Sequence, residues 1–140
     1  MPGPGEIQYF RQGEKLCAVV IPANCPSNDG VRFLTGGNAP FQLAQMGHPA
    51  GYEIQPHRHN PVKRELNTCS EFLLIRKGKL KVDFYDDERN VTDSCILSAG
   101  DCILLLDGGH GFDCLEEVDM IEVKQGPYAG ADDKTRFAKP

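Results

Sequence analysis

Two histidines one residue apart are the strongest chemical feature of this chain. His57 and His59 flank Arg58. In an extended segment, residues i and i+2 project to the same face, so one nitrogen from each imidazole can reach a single ion. A lone histidine is usually structural or solvated, whereas this spacing favours metal binding.

A glutamate and a third histidine can complete the ligand set. Glu71 opens an apolar segment that leads to Gly78, and His110 opens a later one. Three imidazoles with one carboxylate suit Fe, Mn, Ni, Co or Zn, whereas Ca and Mg require mostly oxygen ligands. The residues therefore predict one divalent transition metal, with coordination positions left for water or substrate.

Composition narrows the class of protein. The chain has 140 residues, the size of one domain, with a net charge of −5 and a pI near 5.3. Basic residues form no stripe, so nucleic acid is not an expected partner. We find neither an export signal nor a membrane-spanning run, so we expect a soluble, cytoplasmic protein whose six cysteines are mostly reduced.

Short apolar and β-branched runs, broken by fifteen glycines and ten prolines, predict an all-β fold of the sandwich or barrel type. We find no amphipathic helix. The predicted strands are Leu16–Ile21, Val31–Leu34, Phe41–Met46, Phe72–Arg76, Lys79–Tyr85, Ser94–Leu97, Cys102–Leu106, His110–Leu115 and Val118–Lys124.

The motif residues resemble the cupin family. Gly51, five residues, His57-x-His59, and then Glu71, six residues, Gly78 is similar to the first cupin motif, and Gly100 followed by Gly108-Gly109-His110 is similar to the second. The resemblance implies a double-stranded β-helix, or jelly-roll, barrel. It also implies that His57, His59, Glu71 and His110 are metal ligands in the barrel interior, and that the protein is a homodimer.

The chain departs from the family pattern in its spacing. Eleven residues separate His59 from Glu71, where the family has three or four, so Asn60 to Ser70 looks like an inserted loop. Glu65 is therefore a rival ligand, although Glu71 has the correct spacing to Gly78. In the second motif, Leu106 replaces a proline and Cys114 replaces an asparagine.

The end of the chain adds a narrower resemblance. Residues Ile121 to Tyr128, with Asp133-Lys134 after them, are similar to small cupin-fold metalloproteins found with surface-polysaccharide genes. This resemblance suggests a sugar or sugar-nucleotide substrate. We divide the single domain into N-terminal strands and loops at 1–50, a cupin core at 51–126 and a tail at 127–140.

Four further residues are candidates for the substrate pocket. Phe112 and Cys114 alternate in phase with His110, and Glu122 and Lys124 form the polar face of the last strand. Each also has an ordinary interpretation, as core packing for the first two and as a solvated face for the others.

Three classes of function fit these residues. The first is a metal-dependent enzyme, an isomerase or an oxygenase, acting on a small polar molecule. The second is a binding or sensing module without catalysis, and the third is a barrel that has lost its chemistry. No residue is assigned a catalytic role from the sequence.

Overall fold

The computed structural model describes residues 3–140, so the first two residues of the predicted N-terminal segment lie outside the description. The chain forms ten strands and one short 3-10 turn at Gly130–Asp133. The strands are β1 Gln8–Gln12, β2 Lys15–Ile21, β3 Gly30–Phe33, β4 Ala44–Gly47, β5 Glu71–Lys77, β6 Lys79–Tyr85, β7 Val91–Ser98, β8 Cys102–Leu105, β9 Gly109–Cys114 and β10 Asp119–Lys124.

A five-stranded antiparallel sheet has the order β1-β2-β8-β5-β10. Its inner strand β2 is a run of apolar residues in which Cys17 to Val20 are all buried. A continuous apolar run is the pattern expected for a strand that is covered on both faces. The sequence therefore placed β2 correctly.

A three-stranded antiparallel sheet has the order β7-β6-β9. In its central strand Leu80, Val82 and Phe84 are buried, as the alternating pattern predicts. The bounds of β6 are those predicted. The strand begins after Gly78, which has a φ of 87°, and a Cβ there would lie 1.9 Å from the Glu117 carbonyl oxygen.

The hydrophobic core lies between these two sheets. Leu73, Ile75 and Ile103 from the larger sheet pack with the inward residues of β6 and with Leu97 of β7. The predicted all-β fold is confirmed. Within residues 3–140, no backbone pairing joins the two sheets into a closed barrel.

Strand β1 was not predicted from the sequence. Its only buried residue is Phe10, whose ring stacks on Phe84 at a centroid distance of 4.6 Å. One inward aromatic residue in a five-residue strand leaves too short a pattern to detect.

Strands β3 and β4 pair only with each other in the described chain. β4 begins at Ala44, three residues later than predicted, because Gln42 donates hydrogen bonds to the carbonyls of Gly36 and Ala39. These bonds hold the preceding residues in a loop.

After this hairpin comes a segment that we call the arm, residues 48–68. Every residue of the arm is exposed, and none belongs to a helix or strand. The predicted insertion at 60–70 therefore lies mostly within a longer segment without regular structure. No helix in the described residues is long and apolar enough to cross a membrane.

Candidate metal and ligand site

A cavity of about 730 Å³ opens at one end of the packed sheets. Glu71 lies at the start of β5, His110 and Phe112 are on β9, and Glu122 is on β10. These strands come from both sheets, so the sandwich itself positions the polar groups. Residues after β10 complete the wall, among them Asp133, Lys134, Arg136 and Phe137.

His110 and Glu71 face each other in this cavity. The Nε2 atom of His110 lies 3.9 Å from Oε2 of Glu71, beyond ordinary hydrogen-bonding distance. Two ligands that are each about 2.1 Å from one ion can be up to about 4.2 Å apart. The two groups therefore lie within reach of one ion, at a ligand–metal–ligand angle wider than the tetrahedral one. That they bind a metal stays a prediction.

Burial lowers the pKa of His110, against the opposing effect of the Glu71 carboxylate. Burial therefore favours the neutral form of the imidazole. A neutral ring is the form that coordinates a metal, because its free nitrogen carries a lone pair. The ring of His110 also packs against Phe112, with centroids 5.2 Å apart.

Of the two candidates on the last strand, Glu122 lines the cavity, whereas Lys124 does not and lies beside Glu122. The Nζ atom of Lys124 lies 3.4 Å from Oε1 of Glu122, and Lys124 pairs across the sheet with Glu71. The hydrogen bond with Glu122 raises the pKa of Lys124. Lys124 therefore acts at the edge of the site, through its charge, while Glu122 faces the space inside.

Phe112 and Cys114 differ, although the sequence grouped them. Phe112 lines the cavity and packs on the hydrophobic core. Cys114 is exposed and does not line the cavity, because β9 ends there and the next backbone N–H, of Leu115, already bonds to Lys79 at the turn. The expectation that Cys114 shares the interior with His110 is corrected.

His57 and His59 lie in the arm, with their ring centroids 5.4 Å apart. Nδ1 of His57 lies 2.8 Å from the carbonyl oxygen of Gln55, which fixes the proton on Nδ1 and leaves Nε2 as an available ligand atom. The predicted sharing of one ion by these two imidazoles stays a prediction.

The structure brings the four predicted ligands together as two separate pairs. Within residues 3–140, no three His, Cys, Asp or Glu side chains are close enough to hold one ion. One pair is His57 with His59 on the arm, and the other is Glu71 with His110 in the cavity. Glu65 joins neither pair, since it lies beside Arg64 and Leu66 at a second hollow next to the hairpin loop.

No protein-family model, curated protein or solved structure matches this chain. The site is therefore interpreted from its own geometry. Its cavity places an imidazole, His110, and a carboxylate, Glu71, beside a second carboxylate, Glu122, and these are groups that could hold a metal ion or contact a small polar molecule.

The sequence did not identify the tail as part of the cavity wall. Phe137 packs edge-on against Tyr85 at 5.2 Å, and the guanidinium of Arg89 lies 5.2 Å from the centre of the Phe137 ring. Lys139 donates a hydrogen bond to Asp113. The mixture of aromatic and basic residues after Asp133 was the available signal, but it has no regular period.

Proposed function

We propose that this protein is a cupin with a jelly-roll fold, that it binds one divalent transition metal, and that it acts on a small polar molecule. The metal would be Fe, Mn, Ni, Co or Zn, held by His57, His59, Glu71 and His110. Glu71 and His110 support this proposal most directly, because their ligand atoms face one another at 3.9 Å in a cavity.

The chain's own residues would orient the substrate. Glu122 projects into the cavity and accepts a hydrogen bond from Lys124, so it can accept a further bond from a substrate hydroxyl. Phe112 offers an apolar surface beside His110. When bound, the metal would supply Lewis acidity to a substrate oxygen.

The volume and lining of the cavity support the substrate class. About 730 Å³ is the size of a pocket for a small organic ligand, and its wall carries both acidic and basic side chains. A sugar, which has many hydroxyl groups, matches such a lining. We propose a sugar or sugar-nucleotide substrate and an isomerase or oxygenase reaction on this ground and on the resemblance of the C-terminal tail.

The test is metal binding by the purified protein and its variants. Protein prepared without chelators or a nickel column is analysed for metal content and titrated with Co²⁺. We expect His110→Ala and Glu71→Ala each to weaken Co²⁺ binding by more than about a hundredfold, since each removes a ligand atom, whereas loss of an outer-shell partner costs about ten- to a hundredfold.

His48→Ala is the matched control, because His48 is an arm histidine that stacks on Tyr52 and belongs to neither ligand pair. It should bind Co²⁺ as the unaltered chain does. Unchanged affinity in both cavity variants, with their folds intact by circular dichroism, would refute the proposed site.

A further inference from the structure

The arm exposes apolar side chains that a folded protein normally covers. Tyr52, Ile54, Val62 and Leu66 are 57, 54, 62 and 45% exposed. Segments of this length without secondary structure are uncommon in compact domains, and several large apolar side chains exposed along one such segment are typical of a part of the chain that covers another surface. The arm therefore has the composition of a segment that packs against something.

The backbone of the arm is also available for pairing. In the described structure, none of the N–H groups from residue 53 to residue 68 bonds to another backbone group. Pro49, Pro56 and Pro61 fix φ at values compatible with extended chain. Proline is tolerated on the outer strand of a sheet, where its missing N–H faces solvent.

One strand edge beside the cavity lacks a neighbour. Across residues 3–140, β9 pairs with β6 on one side and with no strand on the other. β9 is also the strand that carries His110. An extended segment that adds to this edge would lie next to the proposed metal site.

The hairpin before the arm is incomplete in the same way. Val31, Phe33 and Met46 are exposed on β3 and β4, which pair only with each other in the part of the chain that the structure describes. An isolated two-stranded sheet is marginally stable in water. The hairpin and the arm together therefore form a unit that requires another surface.

We propose that two copies of this chain exchange their arms, so that His57 and His59 of each copy join Glu71 and His110 of the other. This inference rests on the proposed metal site and specifies how it is assembled. The arm adds as an antiparallel strand to the open edge of β9, and the three-stranded sheet gains a fourth strand in each subunit.

Strand geometry places the imidazoles correctly. Directly opposed residues of antiparallel strands project to the same face, and so do residues two apart on one strand. If either arm histidine lies opposite His110 or Phe112, both arm histidines face the cavity. When the backbone groups of His57 and His59 pair with β9, Pro56 faces solvent, whereas Pro61 lies on their side and ends the pairing.

The length of the insertion favours a second copy over the chain's own sheet. The eleven residues between His59 and Glu71 can span up to about 36 Å when extended. A link of three or four residues would hold the histidines within about 13 Å of their own Glu71. The longer link lets the histidines reach another subunit. In a twofold symmetric dimer the same contact forms twice, so the apolar residues of both arms are buried.

The first experiment mixes two variants that each lack half of the ligand set. One variant carries His57→Ala and His59→Ala, and the other carries His110→Ala. Each is first shown to bind no Co²⁺ alone, and the two are then unfolded in urea, mixed in equal amounts and refolded together with Co²⁺. Exchange predicts about one quarter of the unaltered protein's Co²⁺ per chain, because half of the pairs are mixed and each mixed pair has one complete site.

If the arm served its own chain, no complete site would form in the mixture, and Co²⁺ would stay at the level of the separate variants. That result, with Co²⁺ binding by the unaltered chain, overturns the exchange and leaves the proposed metal site intact. A lack of Co²⁺ in the unaltered protein instead refutes the metal site, and the exchange is then decided by mass.

The second experiment measures mass in solution by light scattering and needs no metal. Exchange predicts a dimer at tens of micromolar, and the double variant Ile54→Ser with Val62→Ser should shift it toward monomer. Ile96→Ser is the matched control, because Ile96 is 58% exposed and lies on β7, which is not part of the arm. A monomeric unaltered protein, or equal dimerisation by both variants, refutes the exchange.

Discussion

Ile75 in β5 and Ile54 in the arm are the same residue type, yet Ile75 is 0% exposed and Ile54 is 54% exposed. Ile75 packs between two sheets that pair strand by strand, whereas the arm lacks any paired strand within the described residues. Apolar content alone therefore does not decide burial. The two residues differ because the backbone of β5 pairs with neighbouring strands, whereas the backbone of the arm, in the described structure, pairs with none.

The largest difference in stability between the two regions is expected when one glycine in each is replaced by alanine. Gly78→Ala should lower the free energy of unfolding by about 3 to 4 kcal/mol, because φ is 87° and the new Cβ would strike the Glu117 carbonyl. Gly51→Ala in the arm should lower it by about 1 kcal/mol, since φ is 84° but no atom lies within 4 Å. Urea titration of both variants measures the difference, and equal losses would contradict the distinction between the regions.

The next effect concerns two cysteines of the smaller sheet. Burial, with Asp93 as the next cause, raises the pKa of Cys95 to about 12 from 9.0, whereas Cys114 is exposed. At pH 8 we expect alkylation of Cys95 to be at least about tenfold slower than that of Cys114, because burial restricts access to the Cys95 thiol and lowers the fraction present as thiolate. Mass spectrometry of digested, iodoacetamide-treated protein gives both rates.

The raised pKa of Cys95 also makes the free energy of unfolding depend on pH. Folding raises the pKa of Cys95, so its contribution to the free energy of unfolding is fully present below pH 9.0 and is lost as the pH rises toward 12. Cys95→Val should remove that part of the alkaline loss. Alkylation of Cys95 as fast as that of Cys114 at pH 8 would show that β7 opens readily, which would contradict the contrast between the packed sheets and the arm.

The smallest effect compares the tail with the arm, since both have little regular structure. Phe137→Ala should lower the free energy of unfolding by about 1 kcal/mol, because the ring contacts both Tyr85 and Arg89. Tyr128→Ala is the control, since Tyr128 is 86% exposed and its loss should be neutral. If Phe137→Ala is equally neutral in urea titration, the tail is no better anchored than the arm.

The sequence predicted the elements whose pattern is local. β6 was placed correctly because three alternating apolar residues follow Gly78 and precede a polar turn. β1 was not found, because its one buried residue depends on Phe84, which is far along the chain. The fold class was therefore accessible from the sequence, but the neighbours of each strand were not.

The candidate site divides in the same way. The membership of Glu71 and His110 in one ligand set was predicted from the motif residues and their resemblance to the cupin family, and the structure places the two side chains 3.9 Å apart. The role of the tail in the cavity wall was not predicted, because Phe137 contacts Tyr85 through tertiary packing, which leaves no periodic pattern in the sequence. The meeting of the two ligand pairs stays a prediction, since strand phase fixes orientation but not which chain supplies a strand.

The contact between the His57 ring and Gln55 has a consequence for how the arm tolerates variation. The acceptor is a main-chain carbonyl, so the tautomer of the imidazole does not depend on the side chain at position 55. Substitutions at position 55 can therefore alter charge and solubility without changing which nitrogen of His57 is free to bind an ion. The tautomer of His57 is therefore set by a backbone group, which a side-chain substitution does not remove.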